Sequence, residues 1–111
     1  ATLEMERYEL PYDDLKTNET LSEIFNSNLR ELGITDIKEA KTTGGSSDIG
    51  NVSHVAPTIH PYIGVTDCPM VGHSVEMADS TITSKAHDRL LIAALAMAYT
   101  GYDVITKNER L

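Results

Sequence analysis

The stretch that decides the fold runs from residue 84 to residue 103 and reads SKAHDRLLIAALAMAYTGYD. Its apolar residues recur at helical spacing, and alanines widen the stripe that they form. The members of this stripe are Leu90, Leu91, Ala93, Ala94, Leu95, Ala96, Met97, Ala98 and Tyr102. With Ser84 or Thr83 as the N-cap, we expect a helix that is buried on most of its circumference and packs closely on a sheet or another helix.

A second helix is predicted between Thr20 and Leu32. Thr20 and Glu23 have the spacing of a capping box, and Asn18 is the alternative N-cap. Gly33 stands where a glycine in the left-handed conformation commonly ends a helix. The apolar face of this helix consists of Leu21, Ile24, Phe25, Leu29 and Leu32.

Two further segments have strand patterns. Leu3 and Met5 alternate with glutamates, which predicts a half-buried strand over residues 3–10. Residues 58–65 have the pattern of a buried strand, and Pro61 places it at an edge or a bend. Residues 66–80 lack periodicity and are predicted to form a loop. The order of strand, helix, loop, strand, loop and helix is typical of a mixed α/β architecture.

The first strand pattern begins almost at the first residue, which is Ala1 rather than Met. Two strands seldom form a stable sheet on their own. The alanine-rich helix also needs a larger partner surface than these elements supply. We therefore expect the chain to be a fragment of a longer protein.

Composition argues against several classes of function. The chain has 111 residues and a formal net charge of −8. Nucleic acids and anionic membrane surfaces both attract basic proteins, so neither is expected as a partner. The longest apolar run covers ten residues, 90–99, whereas a membrane span needs roughly 20. A single cysteine, Cys68, allows no internal disulfide, and we expect a reducing compartment, the cytoplasm.

The polar run over residues 42–51, TTGGSSDIGN, is the most unusual part of the chain. Its backbone amides are suited to hold an anion, but it lacks the endings and glycine spacings of phosphate-binding and dinucleotide-binding loops. Alternatively, it is a surface turn in which Ser47 or Asp48 caps a short helix that runs to Val55. Pro57 ends that helix.

The histidines are His54, His60, His73 and His87. Only His54 and His60 are near one another in sequence, and their spacing does not match a helical metal pair such as His-Glu-x-x-His. His73 lies between Gly72 and Ser74, so it is either an exposed loop side chain or a ring that a close backbone approach aims at a site. His60 is either a hydrogen-bonded core residue or one that faces a cleft.

Three motifs together resemble a known family. GSSDIGNVS at residues 45–53 is followed by VAPTIHPY at residues 55–62, by GHS at residues 72–74 and by an alanine-rich helix. This order resembles the C-terminal part of the zinc aminoacylase family of metal-dependent amidohydrolases, which includes aminobenzoyl-glutamate hydrolases and carboxypeptidase-like metallopeptidases. The resemblance spans residues 3–104.

The resemblance implies an α/β fold, namely the C-terminal part of a three-layer, zinc-peptidase-like catalytic domain. Residues 1–12 would end the last strand of an inserted lid domain and return the chain, and residues 13–111 would belong to the catalytic domain. Members of the family use two zinc or manganese ions to hydrolyse an amide bond in an N-acyl amino acid, an aminobenzoyl-glutamate-like substrate or a dipeptide. A metal-activated water attacks that bond.

Five residues take roles from the resemblance. His73 matches the family's last metal ligand. Ser47, Asp48 and Asn51 match the polar loop beside the active site, and His60 lies near it, so these four are expected to bind substrate. The catalytic glutamate and the other ligands match nothing here. Because one ligand does not hold a catalytic metal, the chain alone is expected to be inactive and to bind no metal stably.

The same resemblance implies a small amide substrate, the rest of the catalytic domain as a partner, and a homodimer through the lid. Two alternatives stay open. One is a stand-alone acidic α/β module for partner binding or oligomerisation. The other is a hydrolase subunit that a separate chain completes.

Overall fold

The computed structural model describes residues 1–39 and 47–107, which contain four helices. These are α1 (Glu19–Glu31), α2 (Ile49–Ser53), α3 (Val75–Ser80) and α4 (Ser84–Thr106). Residues 40–46 and 108–111 lie outside the described part of the chain, and with them Gly44, Gly45 and Ser46 of the polar run.

The ends of α1 follow from its sequence. Asn18 is the N-cap, and its side-chain oxygen accepts a hydrogen bond of 2.8 Å from the Leu21 amide. Of the two caps that the sequence offered, the structure therefore uses Asn18 rather than Thr20. Gly33 has a φ of +88°, which confirms the glycine stop, because residues with a Cβ rarely adopt that conformation.

The core lies where α1 packs against α4. Phe25 and Leu29 of α1 are buried against Ala96 of α4, which is completely inaccessible. An alanine at this position lets the two helices approach closely. The surrounding, partly buried apolar residues are Leu32, Ile34, Ile37, Ile59 and Ile92.

A polar contact accompanies this apolar packing. The buried Asn28 amide of α1 donates to the Thr100 hydroxyl and to the Asp103 carboxylate of α4, each at 3.2 Å. Asp103 also pairs with Lys107 at 2.9 Å. The Lys107 ammonium, followed by the Asn28 amide, holds the pKa of Asp103 below its ordinary value, against the opposing effect of burial.

The helix α4 begins as predicted, with Thr83 as the N-cap, and continues three residues beyond Asp103. Within the described residues, most of the circumference of α4 is accessible, so the expected burial requires the larger partner surface and stays a prediction. Only Ala86, Ala96 and Thr100 are buried, whereas Leu91, Tyr102 and Ile105 are largely exposed. The physical reason is that, among the helices of the described residues, α1 alone packs extensively against α4, and it covers a single face.

The expectation of a loop over residues 66–80 is wrong at its end, because Val75–Ser80 forms α3. The signal was the side chain of Ser74, whose hydroxyl accepts from the Met77 amide at 3.1 Å. The helix has only six residues, too few for a visible apolar period.

The two expected strands do not form a sheet in the described residues. Residues 3–10 make no ladder, and Leu3 and Met5 are more than four-fifths exposed. The single bridge there joins Thr17 to Thr58 in parallel. A strand needs a neighbour to receive its hydrogen bonds, so both the mixed α/β architecture and the lid boundary at residue 12 stay predictions.

A helix that crosses a bilayer must be both long and apolar. Among the helices of the described residues, none combines the necessary length with the necessary apolar character.

Candidate functional site around helix α2

The polar run continues into α2, where its last residues take local roles. The Ser47 hydroxyl accepts from the Ile49 amide at 3.3 Å and donates to the Asp48 carboxylate at 3.4 Å. Asp48 occupies the N-cap position without a capping bond of its own, and it is exposed. Of the two proposed caps, Ser47 therefore supplies the hydrogen bond. The helix ends at Ser53, two residues before the expected end at Val55.

Asn51 binds the backbone of the segment that precedes α1. Its carbonyl oxygen accepts from the Asp13 amide at 3.3 Å. Its amide nitrogen donates to the Pro11 carbonyl at 3.0 Å and to the Asp13 carboxylate at 3.3 Å. All of the polar atoms of this side chain therefore have partners within the chain.

Ser53 and Gly50 bring the same two segments together. The buried Ser53 hydroxyl accepts from the Lys16 amide at 2.9 Å and donates to the Gly50 carbonyl at 2.6 Å. Gly50 packs against the Asp13 backbone so closely that a Cβ would overlap its carbonyl oxygen and lie 2.7 Å from its carbonyl carbon. Position 50 thus accepts no side chain without a backbone shift.

His54, to which the sequence assigned no role, takes part in this contact. Its Nε2–H donates to the Asp14 carbonyl at 3.0 Å, which fixes the tautomer because a carbonyl only accepts. The Asp14 carboxylate lies 3.6 Å from the same nitrogen. Beside this ring is an open cavity of about 270 Å³, which is lined by Lys16, Thr17, Asn18, Ser53, His54, Val55, Ala56 and Pro57.

His73 lies in a separate loop that leads into α3. It is exposed and has a φ of +57°, which is uncommon for a residue other than glycine. The backbone turns at this residue, and the next one, Ser74, caps α3. Within residues 1–39 and 47–107, no hydrogen bond or ion pair engages the His73 ring.

His60 is exposed, so the alternative of a buried core histidine is wrong. Its ring lies against that of Tyr62, with 5.0 Å between the centroids and an interplanar angle of 37°. In the described part of the chain, no hydrogen bond joins His60 or His73 to Ser47, Asp48 or Asn51.

A second, wider groove of about 650 Å³ lies between the 65–70 segment and α3. The Lys85 ammonium donates to the Asp67 carboxylate at its rim, and this contact holds the pKa of Asp67 below its ordinary value. Cys68 is a free, exposed thiol in the same groove.

A catalytic zinc or manganese site needs about three protein donors for each ion. The described residues contain no group of three or more His, Cys, Asp or Glu side chains that could hold a metal ion. The donor set present therefore does not fit a complete metal centre, and any site that includes His73 requires donors from elsewhere.

The residues that contact α2 could not be predicted from the sequence, because they are about 40 residues away along the chain. A pattern within 42–51 contains no information about residues 11–16. The one local signal was Gly50, since a glycine inside a short helix often indicates close approach of another backbone.

Two curated dipeptidases are similar in sequence to this chain. The chain is 34% identical over its whole length to the Xaa-Arg dipeptidases of Homo sapiens and Mus musculus. It spans 26% of the length of these curated relatives. No family model and no solved structure matches the chain.

Proposed function

We propose that this chain is part of a metal-dependent amidohydrolase that cleaves the amide bond of a dipeptide. The observation that carries the proposal is the 34% identity to Xaa-Arg dipeptidases over all of the chain, from the first residue to the last. The GSSDIGNVS, VAPTIHPY and GHS motifs support the same reaction class through their resemblance to aminoacylases. An N-acyl amino acid contains the same bond and is the alternative substrate.

The relatives' name favours a dipeptide that ends in arginine. We therefore rank an arginine dipeptide above an aminobenzoyl-glutamate-like substrate for this protein. Asp48, Ser47 and His60 are our candidates for contacts with it, since their side chains are at least partly accessible.

His73 is the proposed metal ligand. Its ring has no partner among the described residues, and its backbone turns at a φ of +57° between a glycine and a helix cap. This geometry supports a ligand role because an imidazole must be free and neutral to bind a metal. Since the described residues hold no group of three donors, the other ligands and the general base would come from other parts of the protein.

The same proposal accounts for the exposed apolar surface. Leu91, Leu95 and Tyr102 are exposed apolar side chains of α4, and we propose that a sheet of a three-layer α/β domain covers them. Residues 3–10 would be the strand that ends a lid domain, through which two subunits pair. Both surfaces expose several large apolar side chains, a feature typical of surfaces that bind other protein surfaces. A single exposed thiol and no disulfide favour a cytoplasmic location.

The test is His73→Ala in the full-length natural protein, with His87→Ala as the matched control. His87 is also an exposed histidine, but it lies in the first turns of α4. We expect His73→Ala to lose hydrolysis of an alanyl-arginine dipeptide and at least one bound metal ion, measured by elemental analysis. His87→Ala should keep both.

Each outcome has a definite meaning. Full activity and metal content in His73→Ala would overturn the ligand assignment. A full-length natural protein that hydrolyses no dipeptide and no N-acyl amino acid would overturn the reaction class, and would favour the non-catalytic binding module instead.

A further inference from the structure

The contact between α2 and the segment before α1 consists almost entirely of polar contacts. Along residues 11–18, Asn51 binds residues 11 and 13, His54 binds residue 14, and Ser53 binds residue 16. The backbone N–H of Asn18 then donates to the Thr58 carbonyl at 2.9 Å. Residues 11–17 are exposed, so apolar burial does not hold this segment in place.

We propose that α2 is a clamp that fixes the path of residues 11–16, and thereby the direction in which residues 1–10 leave the helical body. We call Gly50, Asn51, Ser53 and His54 the α2 clamp. Residues 1–10 make no ladder and carry exposed apolar side chains, so their position depends on how the next residues are held. The clamp is a conformational device between the N-terminal segment and the α1–α4 pair.

The side chains of the clamp are specific for backbone groups. Asn51 supplies both an acceptor and donors, a combination that neither Asp nor Ala reproduces. Ser53 uses one hydroxyl to join Lys16 to Gly50 at a buried position. Gly50 removes the side chain that would otherwise separate the two backbones. Asn51, Ser53 and Gly50 therefore each make a specific contact with residues 11–16 that an arbitrary small or polar residue would not make.

The clamp does not rest on the proposed hydrolase activity, because it is argued from contacts between groups of this chain alone. The clamp gives Asn51 a structural role, which differs from the substrate-binding role that the family resemblance implies for this residue. The test accordingly measures backbone protection rather than turnover, and either proposal can fail without the other.

The experiment is hydrogen–deuterium exchange by mass spectrometry on the full-length natural protein, with peptides that cover residues 11–18 and residues 90–100. Asn51→Ala is compared with Val52→Ala, which alters the neighbouring half-exposed position of the same helix. We expect exchange in residues 11–18 to become about tenfold faster in Asn51→Ala, and to be unchanged in Val52→Ala. The α4 peptide should keep its protection in both.

Swapping the two side chains tests the contact between Asn51 and Asp13 directly. Asn51→Asp keeps an acceptor for the Asp13 backbone amide but removes the donors and places a second carboxylate beside that of Asp13, so repulsion between the two should accelerate exchange. Adding Asp13→Asn returns an amide to the pair, which should restore part of the protection in residues 11–18. Such non-additivity is the signature of direct contact.

Two results would overturn the clamp. The first is equal exchange of residues 11–18 in Asn51→Ala and Val52→Ala. The second arises when the single variants lose protection throughout the protein, including α4, and the double variant does not recover it. If the double variant recovers protection in that case, the clamp is supported.

Discussion

Two long-range contacts in the described part of the chain are built on opposite principles. The α1–α4 contact buries Phe25, Leu29 and Ala96, and it adds one buried amide, Asn28. The contact between α2 and residues 11–16 buries almost nothing apolar and relies on side chain to backbone hydrogen bonds. The first contact resembles a protein core, and the second resembles a surface segment that hydrogen bonds hold in one conformation.

The difference teaches how each contact should respond to change. Apolar burial stabilises in proportion to the area removed from water, so truncation of a core residue costs several kcal/mol. A hydrogen bond contributes only about 1 kcal/mol net, but it specifies one geometry. We therefore expect the helix pair to determine stability and the α2 clamp to determine the path of the chain.

The largest effect is expected from Phe25→Ala, because Phe25 is 5% exposed and fills the centre of the α1–α4 contact. Loss of its transfer energy and the resulting cavity should lower the free energy of unfolding by about 3 kcal/mol. Urea unfolding of the full-length natural protein measures this change. Val55→Ala, at a position that is 85% exposed, is the control and should cost less than about 0.5 kcal/mol. Similar losses in both variants would show that α1 and α4 do not form the core.

A smaller but more localised effect is expected from Gly50→Ala. The new methyl group would overlap the Asp13 carbonyl, so the segment must move, at a cost of about 1–3 kcal/mol. Gly64→Ala is the matched control, because no atom lies within 4 Å of a Cβ at that position. Limited proteolysis should cut residues 11–18 faster in Gly50→Ala only. Unchanged cleavage would contradict the close approach of the two backbones.

The polar part of the helix contact should contribute less than Phe25. Asn28→Ala leaves the Thr100 hydroxyl and the Asp103 carboxylate without their shared donor, which should cost about 1–2 kcal/mol. Urea unfolding measures this loss against Asn26→Ala, a change two residues earlier in the same helix. If both variants unfold at the same urea concentration, the amide contributes no specific stability.

The smallest effect concerns pH. Lys107 and Asn28 hold the pKa of Asp103 below its ordinary value in the folded state. The stabilisation is therefore complete above the unfolded pKa, about 4, and is lost as the pH falls through the lower, folded pKa. Thermal unfolding between pH 6 and pH 2 should show a shallower loss of stability in Asp103→Asn than in the parent. An identical pH profile would argue against the ion pair.

The helices could be predicted because their signals are local. Asn18 and Gly33 bound α1 through contacts within one turn, and Thr83 caps α4 in the same way. The short helix α3 escaped prediction because its only signal is the Ser74 cap. The strand patterns of residues 3–10 and 58–65 record what these segments prefer, whereas a sheet also needs neighbours that the described residues do not provide.

The candidate site was only partly predictable for the same reason. The sequence placed Ser47 and Asp48 at the start of a short helix, and the family resemblance selected His73 as a metal ligand, which stays a prediction. Neither could reveal that Asn51 faces Pro11 and Asp13, or that His54 donates to Asp14, because these partners lie about 40 residues away. Roles that depend on distant backbone require coordinates.

By itself, the sequence determined where α1 ends and which reaction class the motifs resemble, and it narrowed the N-cap of α1 to Asn18 or Thr20 and that of α4 to Thr83 or Ser84. Caps, glycine stops and apolar periods act over a few residues, so the local order of the chain is enough to specify them. Only the tertiary structure decided which face of α4 is covered, that Gly50 touches a backbone, and that Asn51 and Ser53 hold the segment before α1. Those features depend on which distant groups meet, and packing of the whole chain sets those meetings.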